Sequence, residues 1–181
     1  DGRIITDKTY QVDVPAGATR AFPLEGSLAG KAAALRLTST HEVLGAVEAS
    51  GAADWATLDG VAPLGGQAVA TIPLPPGVTP VVTVANPSAA PAHVSLTITD
   101  ADGKELAKSS VDVPASASLV VEPGVTPVAK LTVTSSEPSV RVGVAAGGTV
   151  GTVAGLAVLP ISDASSSLPT VTLTPEPRLG T

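Results

Sequence analysis

Asp54, Trp55 and Asp59 stand together in SGAADWATLDG (residues 50–60), and their types and spacing invite a chemical role. An indole flanked by carboxylates can anchor a partner molecule. The structural alternative is that Trp55 caps the open end of a β-sandwich. DADGKE (100–105) spaces two aspartates as calcium loops do, but the remaining oxygen ligands and the closing Glu of such a loop are absent, so a hairpin tip is expected. His41 and His93 are the only imidazoles and the chain has no Cys, too few ligands in any one stretch for zinc. There is no G-x-S-x-G, and a serine triad would have to recruit one of those two histidines. The glycine-rich GGTVG (147–151) lacks the Lys and the following helix of a phosphate loop. Asn86, the only Asn, precedes Pro87, so it is no glycosylation acceptor. No catalytic, cofactor-binding or metal-binding residue is expected, no cofactor is implied, and the chain reads as a non-enzyme.

The elements that would carry these residues follow from composition. The 181 residues include 17 Pro and 18 Gly, no Met, and only Tyr10, Phe22 and Trp55 as aromatics. A core must therefore come from Val, Leu, Ile and Ala, and the abundant Val and Thr favour strands because a branched Cβ suits a pleated surface. The many prolines disfavour helices. Without Met, the chain is expected to be a processed form or a fragment, from which a signal peptide or anchor could have been removed. The net charge of −6 and the scattered basic residues argue against a nucleic-acid partner. No Lys or Arg occurs between Arg36 and Lys104, whereas Glu42, Glu48, Asp54, Asp59, Asp100 and Asp102 do. That interval is expected to form a solubilising acidic face.

The chain repeats itself. VDVPAGATRAFPLE (12–25) matches VDVPASASLVVE (111–122), and ALRLTSTHEVLGAVEASG (34–51) matches KLTVTSSEPSVRVGVAAGG (130–148) with one residue of slippage. LDGVAPL (58–64) matches VAGLAVL (153–159). The spacing, about 95–100 residues, is that of one sandwich module. The repeat also decides how to read the uncharged run at 142–161. Its counterpart in the first copy holds three acidic residues and Trp55, so a membrane helix is not expected. Two strands, about 139–146 and 152–159, are expected instead, joined by a turn at Gly147-Gly148-Thr149.

Alternation and turn residues predict seven strands in the second copy: 81–87, 93–99, 104–113, 118–122, 130–135, 139–145 and 152–159. This is the pattern of an immunoglobulin-like sandwich. The fold expected is all-β: tandem immunoglobulin-like antiparallel β-sandwiches, the first lacking about two N-terminal strands. The expected division is residues 1–66 for the first copy, 67–161 for the second and 162–181 for a Ser/Thr/Pro-rich tail. The missing strands could lie upstream. They could also be replaced by the alternating LPTVTLTP (168–175), with Thr170, Val171, Thr172, Leu173 and Thr174 as a donor strand, folding back or entering a neighbouring molecule. Otherwise the tail is a linker.

VVTVANPSAAPAHVSLTITDADGKE, followed by VDVPASASLVVE and KLTVTSSEPSVRVGVAAGG, resembles a family of uncharacterised secreted or membrane-anchored actinobacterial proteins with tandem β-sandwich repeats. The resemblance covers roughly residues 1–160. It implies a place in the cell envelope and supplies no activity or catalytic residue. The function expected is that of a non-catalytic exported envelope protein serving as scaffold, spacer or protein-interaction module. Its partners would be another envelope protein or copies of itself, with membrane association only through a segment outside this chain. One alternative is a subunit of a surface assembly joined by strand exchange. Another is a weak carbohydrate-binding module, disfavoured by the scarcity of aromatics.

Overall fold

The computed structural model describes residues 9–24, 33–50, 54–65, 67–70, 78–123, 130–150 and 153–161. The tail, with the candidate donor strand Thr170–Thr174, lies outside them. The described residues hold ten strands and no helix: β1 (Val47–Ser50), β2 (Trp55–Leu58), β3 (Gln67–Ala70), β4 (Val78–Asn86), β5 (Ala92–Thr99), β6 (Glu105–Val113), β7 (Ala117–Val121), β8 (Lys130–Ser135), β9 (Arg141–Val150) and β10 (Val153–Ile161). Accordingly, no described helix is long and apolar enough to cross a membrane.

Two four-stranded sheets are formed, in the orders β10-β9-β4-β7 and β3-β8-β5-β6, and β1 pairs with β2 alone. All the pairings are antiparallel. Successive side chains on a strand point to opposite faces, and the sequence uses this throughout. Val82, Val84, Val142, Val144 and Leu119 point inward from one sheet; Val94, Leu96, Ile98, Leu131 and Val133 point inward from the other. They share one aliphatic core, which makes the two sheets a β-sandwich. Burying each such side chain contributes about 1.5–3 kcal/mol.

All seven strands expected between residues 81 and 159 are present, with three differences. First, β9 and β10 stay paired as far as Val150 and Val153, so Gly147, Gly148 and Thr149 lie in the ladder instead of forming the turn. The extra length is used: Val78, Thr79 and Pro80 of β4 pair with Gly148, Gly147 and Ala146. Second, β10 runs through Pro160 to Ile161. A proline is accommodated because β10 is an outer strand, where a missing N–H costs no second ladder. Third, the short β3 was not foreseen; it pairs with β8 from Gln67↔Thr134 to Ala70↔Leu131.

Residues 9–24 and 33–46 contain no strand. The first of these segments reverses at Pro15–Ala18, where Ala18 N donates to Pro15 O (3.1 Å) and Gly17 has φ 71°. Tyr10 and Phe22 meet across that reversal with ring centroids 5.1 Å apart. The following segment, 61–65, runs beside 138–141: Leu64 N donates to Val140 O (2.8 Å), Gly65 N to Pro138 O (3.0 Å), and the Arg141 guanidinium to Val61 O. It delivers Leu64, fully buried, into the sandwich core.

Candidate functional site

The hairpin β1–β2 lies against β10, the outer strand of its sheet. Asp54, immediately before β2, makes the contact. Its Oδ1 accepts from the Trp55 amide (2.8 Å) and its Oδ2 from the Leu156 amide (3.0 Å), 102 residues away. An outer strand presents main-chain N–H groups to solvent, and a side-chain oxygen can satisfy one. The Leu156 amide first, and the Trp55 amide second, hold the Asp54 carboxyl below the usual carboxylate range, against a small opposing desolvation. Gly155 sits under this contact; a Cβ there would lie 3.9 Å from Asp54 Oδ2.

The next residue, Trp55, is 63% exposed and does not cap the sandwich core. Asp59, after β2, is also exposed. Thus the hairpin carries Asp54 and Trp55 as neighbours, one tied to β10 and one open to solvent.

The other candidates resolve into turn chemistry. Asp100 Oδ1 accepts from the amides of Asp102 (3.0 Å) and Lys104 (2.9 Å), and Gly103 has φ 84°, so DADG is the tip of the β5–β6 hairpin. His93 Nδ1 lies 2.8 Å from Asp112 Oδ1, but both side chains are exposed. The Ser136 hydroxyl accepts from the His93 main-chain N–H (2.9 Å), not from its ring, so the trio is not arranged for nucleophilic attack. Among the described residues, no three His, Cys, Asp or Glu gather as metal ligands would. Between the outer strands β6 and β7 the sandwich leaves a cleft of about 270 Å³, lined in part by Leu96, Val111, Val121, Lys108 and Glu122.

Sequence reasoning missed Asn86. It is the one buried polar residue among the described core residues. Its Nδ2 faces the carbonyls of Ala90 (2.8 Å), Val113 (3.2 Å) and Pro114 (3.1 Å), and its Oδ1 accepts from the Ser88 amide (3.1 Å). It therefore ties the end of β4, the β4–β5 corner and the β6–β7 turn together. In that turn Ser116 adopts φ 53° and its N–H donates to Ser88 O (2.9 Å). A lone Asn at the end of a strand, before Pro, was the available signal.

Residues 1–124 match the model of the family of unknown function DUF5719. The chain belongs to that family. No curated protein matches it. A solved structure described as Thermotoga maritima 1070 is similar at 13% identity and a TM-score of 0.46, covering 54% of this chain and 93% of that one.

Proposed function

We propose that this DUF5719 chain is a non-catalytic, exported envelope protein built from two copies of one β-sandwich module, serving as a scaffold, spacer or protein-interaction module. One observation carries the interaction role. Ten of the twelve exposed large apolar side chains among the described residues lie between Tyr10 and Trp55, against two in the rest. The concentration is along the chain, and apolar side chains left exposed in one stretch are what a contact region would present.

Two local geometries support the two-copy reading. Gly17 and Ser116, at matched positions after Val-Asp-Val-Pro-Ala, both adopt positive φ, 71° and 53°. Ser39 Oγ accepts from the His41 amide (3.3 Å), and the matched Ser135 Oγ accepts from the Glu137 amide (3.1 Å).

Trp55 and Asp54 suit protein contact better than sugar recognition. Sugar clefts are usually lined with aromatics, and Trp55 is the only aromatic near Asp54 in a chain whose others are Tyr10 and Phe22.

Cell fractionation tests the location: recovery with the envelope is expected, and recovery in the cytosol would overturn it. Light scattering on the intact chain and on one ending at Ser167 tests the mode. Monomers in both cases leave the apolar surface for another protein. Oligomers that truncation dissolves would favour strand exchange through 168–175 instead.

A further inference from the structure

The second copy shows what the first copy's exposed side chains are built to meet. In it, β6 pairs only with β5, and β7 only with β4. β8 pairs with β5 and β3, and β9 with β4 and β10. The consecutive strands β4 and β5 thus lie inside both sheets, one in each, joined by the corner at Asn86. Take β3, β4 and β5 away and β6, β7 and β8 lose every neighbour. Only β9–β10 remains paired.

That is the condition of the first copy. Val12 and Val14 match Val111 and Val113 of β6. Counting back from the shared Glu25 and Glu122, Phe22 and Leu24 match Leu119 and Val121 of β7. Leu35 and Leu37 match Leu131 and Val133 of β8, and Val47 matches Val144 of β9. None of the residues matched to β6, β7 or β8 that are described here is in a strand, and the one hairpin, β1–β2, begins in the stretch matched to β9. Nothing in residues 1–11 resembles β4 or β5.

Resting on the two-copy reading, we propose that residues 12–24 and 33–47 are an acceptor for a β4–β5-type arch: two alternating aliphatic strands joined by a corner carrying an amide side chain. The observed pairings define its fit. Its second strand would face Val12 and Val14 as Val94 and Ala92 face Val111 and Val113. It would face Leu35 and Leu37 as Ile98 and Leu96 face Leu131 and Val133. Its first strand would face Phe22 and Leu24 as Val84 and Val82 face Leu119 and Val121. Its corner amide would reach the carbonyls of Val14 and Pro15 as Asn86 reaches those of Val113 and Pro114. The acceptor is already set at two turns, through the positive φ of Gly17 and the Ser39–His41 contact. Adding strands to unpaired strand edges supplies main-chain hydrogen bonds, and the alternate side chains supply specificity.

The test titrates a synthetic peptide of residues 78–99 into the intact chain and follows amide hydrogen exchange. Saturable binding with new protection in 9–24 and 33–47 is expected, and Asn86→Ala in the peptide should weaken it at least about tenfold, the loss of one buried hydrogen-bond set. Should the free peptide aggregate, the same segment fused ahead of Asp1 through a flexible linker gives the same readout. Absence of protection in both formats overturns the proposal. So does protection confined to 105–121 and 130–150, which is exchange into the second sandwich. Protection already present without peptide also overturns it: lost on truncation at Ser167, it assigns the tail as occupant; rising with a dimeric mass, a second copy. A cytosolic location would sink the envelope reading and leave this result untouched.

Discussion

Val14 and Val113 each stand in the pentapeptide Val-Asp-Val-Pro-Ala, yet Val14 is 47% exposed and Val113 fully buried. The contrast recurs: Phe22 is 44% exposed against 6% for Leu119, and Leu37 68% against 0% for Val133. The local propensities are alike, so propensity is not what separates the two regions. What separates them is the presence of β4 and β5, which pair with the strands that carry Leu119, Val113 and Val133. A strand holds half of a hydrogen-bond ladder, and its inward side chains hold half of a core. Burial in this molecule is a property of pairs of segments, and among the described residues one region has its pair while the other does not.

The comparison breaks most sharply at matched core positions. Leu131→Ala should cost about 2–5 kcal/mol, since it empties a fully packed site, and Leu35→Ala should stay within about 0.5 kcal/mol. Urea unfolding followed by circular dichroism measures both. If Leu35→Ala is as costly as Leu131→Ala in the chain alone, the first region has a partner already. With the 78–99 segment fused ahead of Asp1, Leu35→Ala should become costly too.

Asn86 is the next largest lever. Asn86→Ala leaves the carbonyls of Val113, Pro114 and Ala90 facing a buried gap. About 2–3 kcal/mol should be lost. Asn86→Asp should be worse at neutral pH, because a carboxylate would face those same oxygens. Such a group has a folded pKa raised above its unfolded value. The variant's penalty is therefore smallest below the unfolded pKa and grows as pH rises through the folded one. Melting curves at acid and neutral pH check the sign.

Much of the sandwich was legible in the sequence because its strands alternate with period two between turn residues. The run 93–99 is the plainest case, with Val94, Leu96 and Ile98 all inward. What was not legible depended on distance along the chain. β3 is four residues without strong alternation, and only β8 makes it a strand. Gly147 and Gly148 read as a turn because glycine marks turns and close strand contacts alike, and only the pairing with β4 and β10 decides. Leu64 matched the exposed Leu159 in sequence, yet main-chain hydrogen bonds to Pro138 and Val140 carry it into the core. At the candidate site, Trp55 and Asp54 were visible by type. The tether from Asp54 to Leu156, across 102 residues, left no local trace.

The two matched turns offer a finer contrast. Ser116 holds φ 53° where its counterpart is Gly17. A residue with a Cβ is strained there and glycine is not. Ser116→Gly should therefore stabilise the chain by about 0.5–1 kcal/mol, read as a raised denaturant midpoint. Gly17→Ser should change the midpoint little, because the first region contributes little to the folded core. A large loss from Gly17→Ser would show that the first turn already bears on the cooperative fold.

The smallest effect belongs to Asp54, where the two regions touch. Its folded pKa is lowered by the Leu156 and Trp55 amides. The contact is thus fully present above the unfolded carboxylate pKa of about 4 and lost as pH falls through the lowered folded value. Global melting should not change with Asp54→Ala, since the group is exposed. The Leu156 amide resonance should change: in the parent chain it should titrate at acid pH with a midpoint below that of an unfolded Asp. In Asp54→Asn the amide oxygen can still accept from Leu156, so the resonance should keep its position and lose its pH dependence. In Asp54→Ala it should shift at every pH. A Leu156 amide indifferent to all three changes would mean that the hairpin is not tethered to β10 in solution. Among the described residues, the two regions would then be joined through 61–65, where Leu64 enters the core.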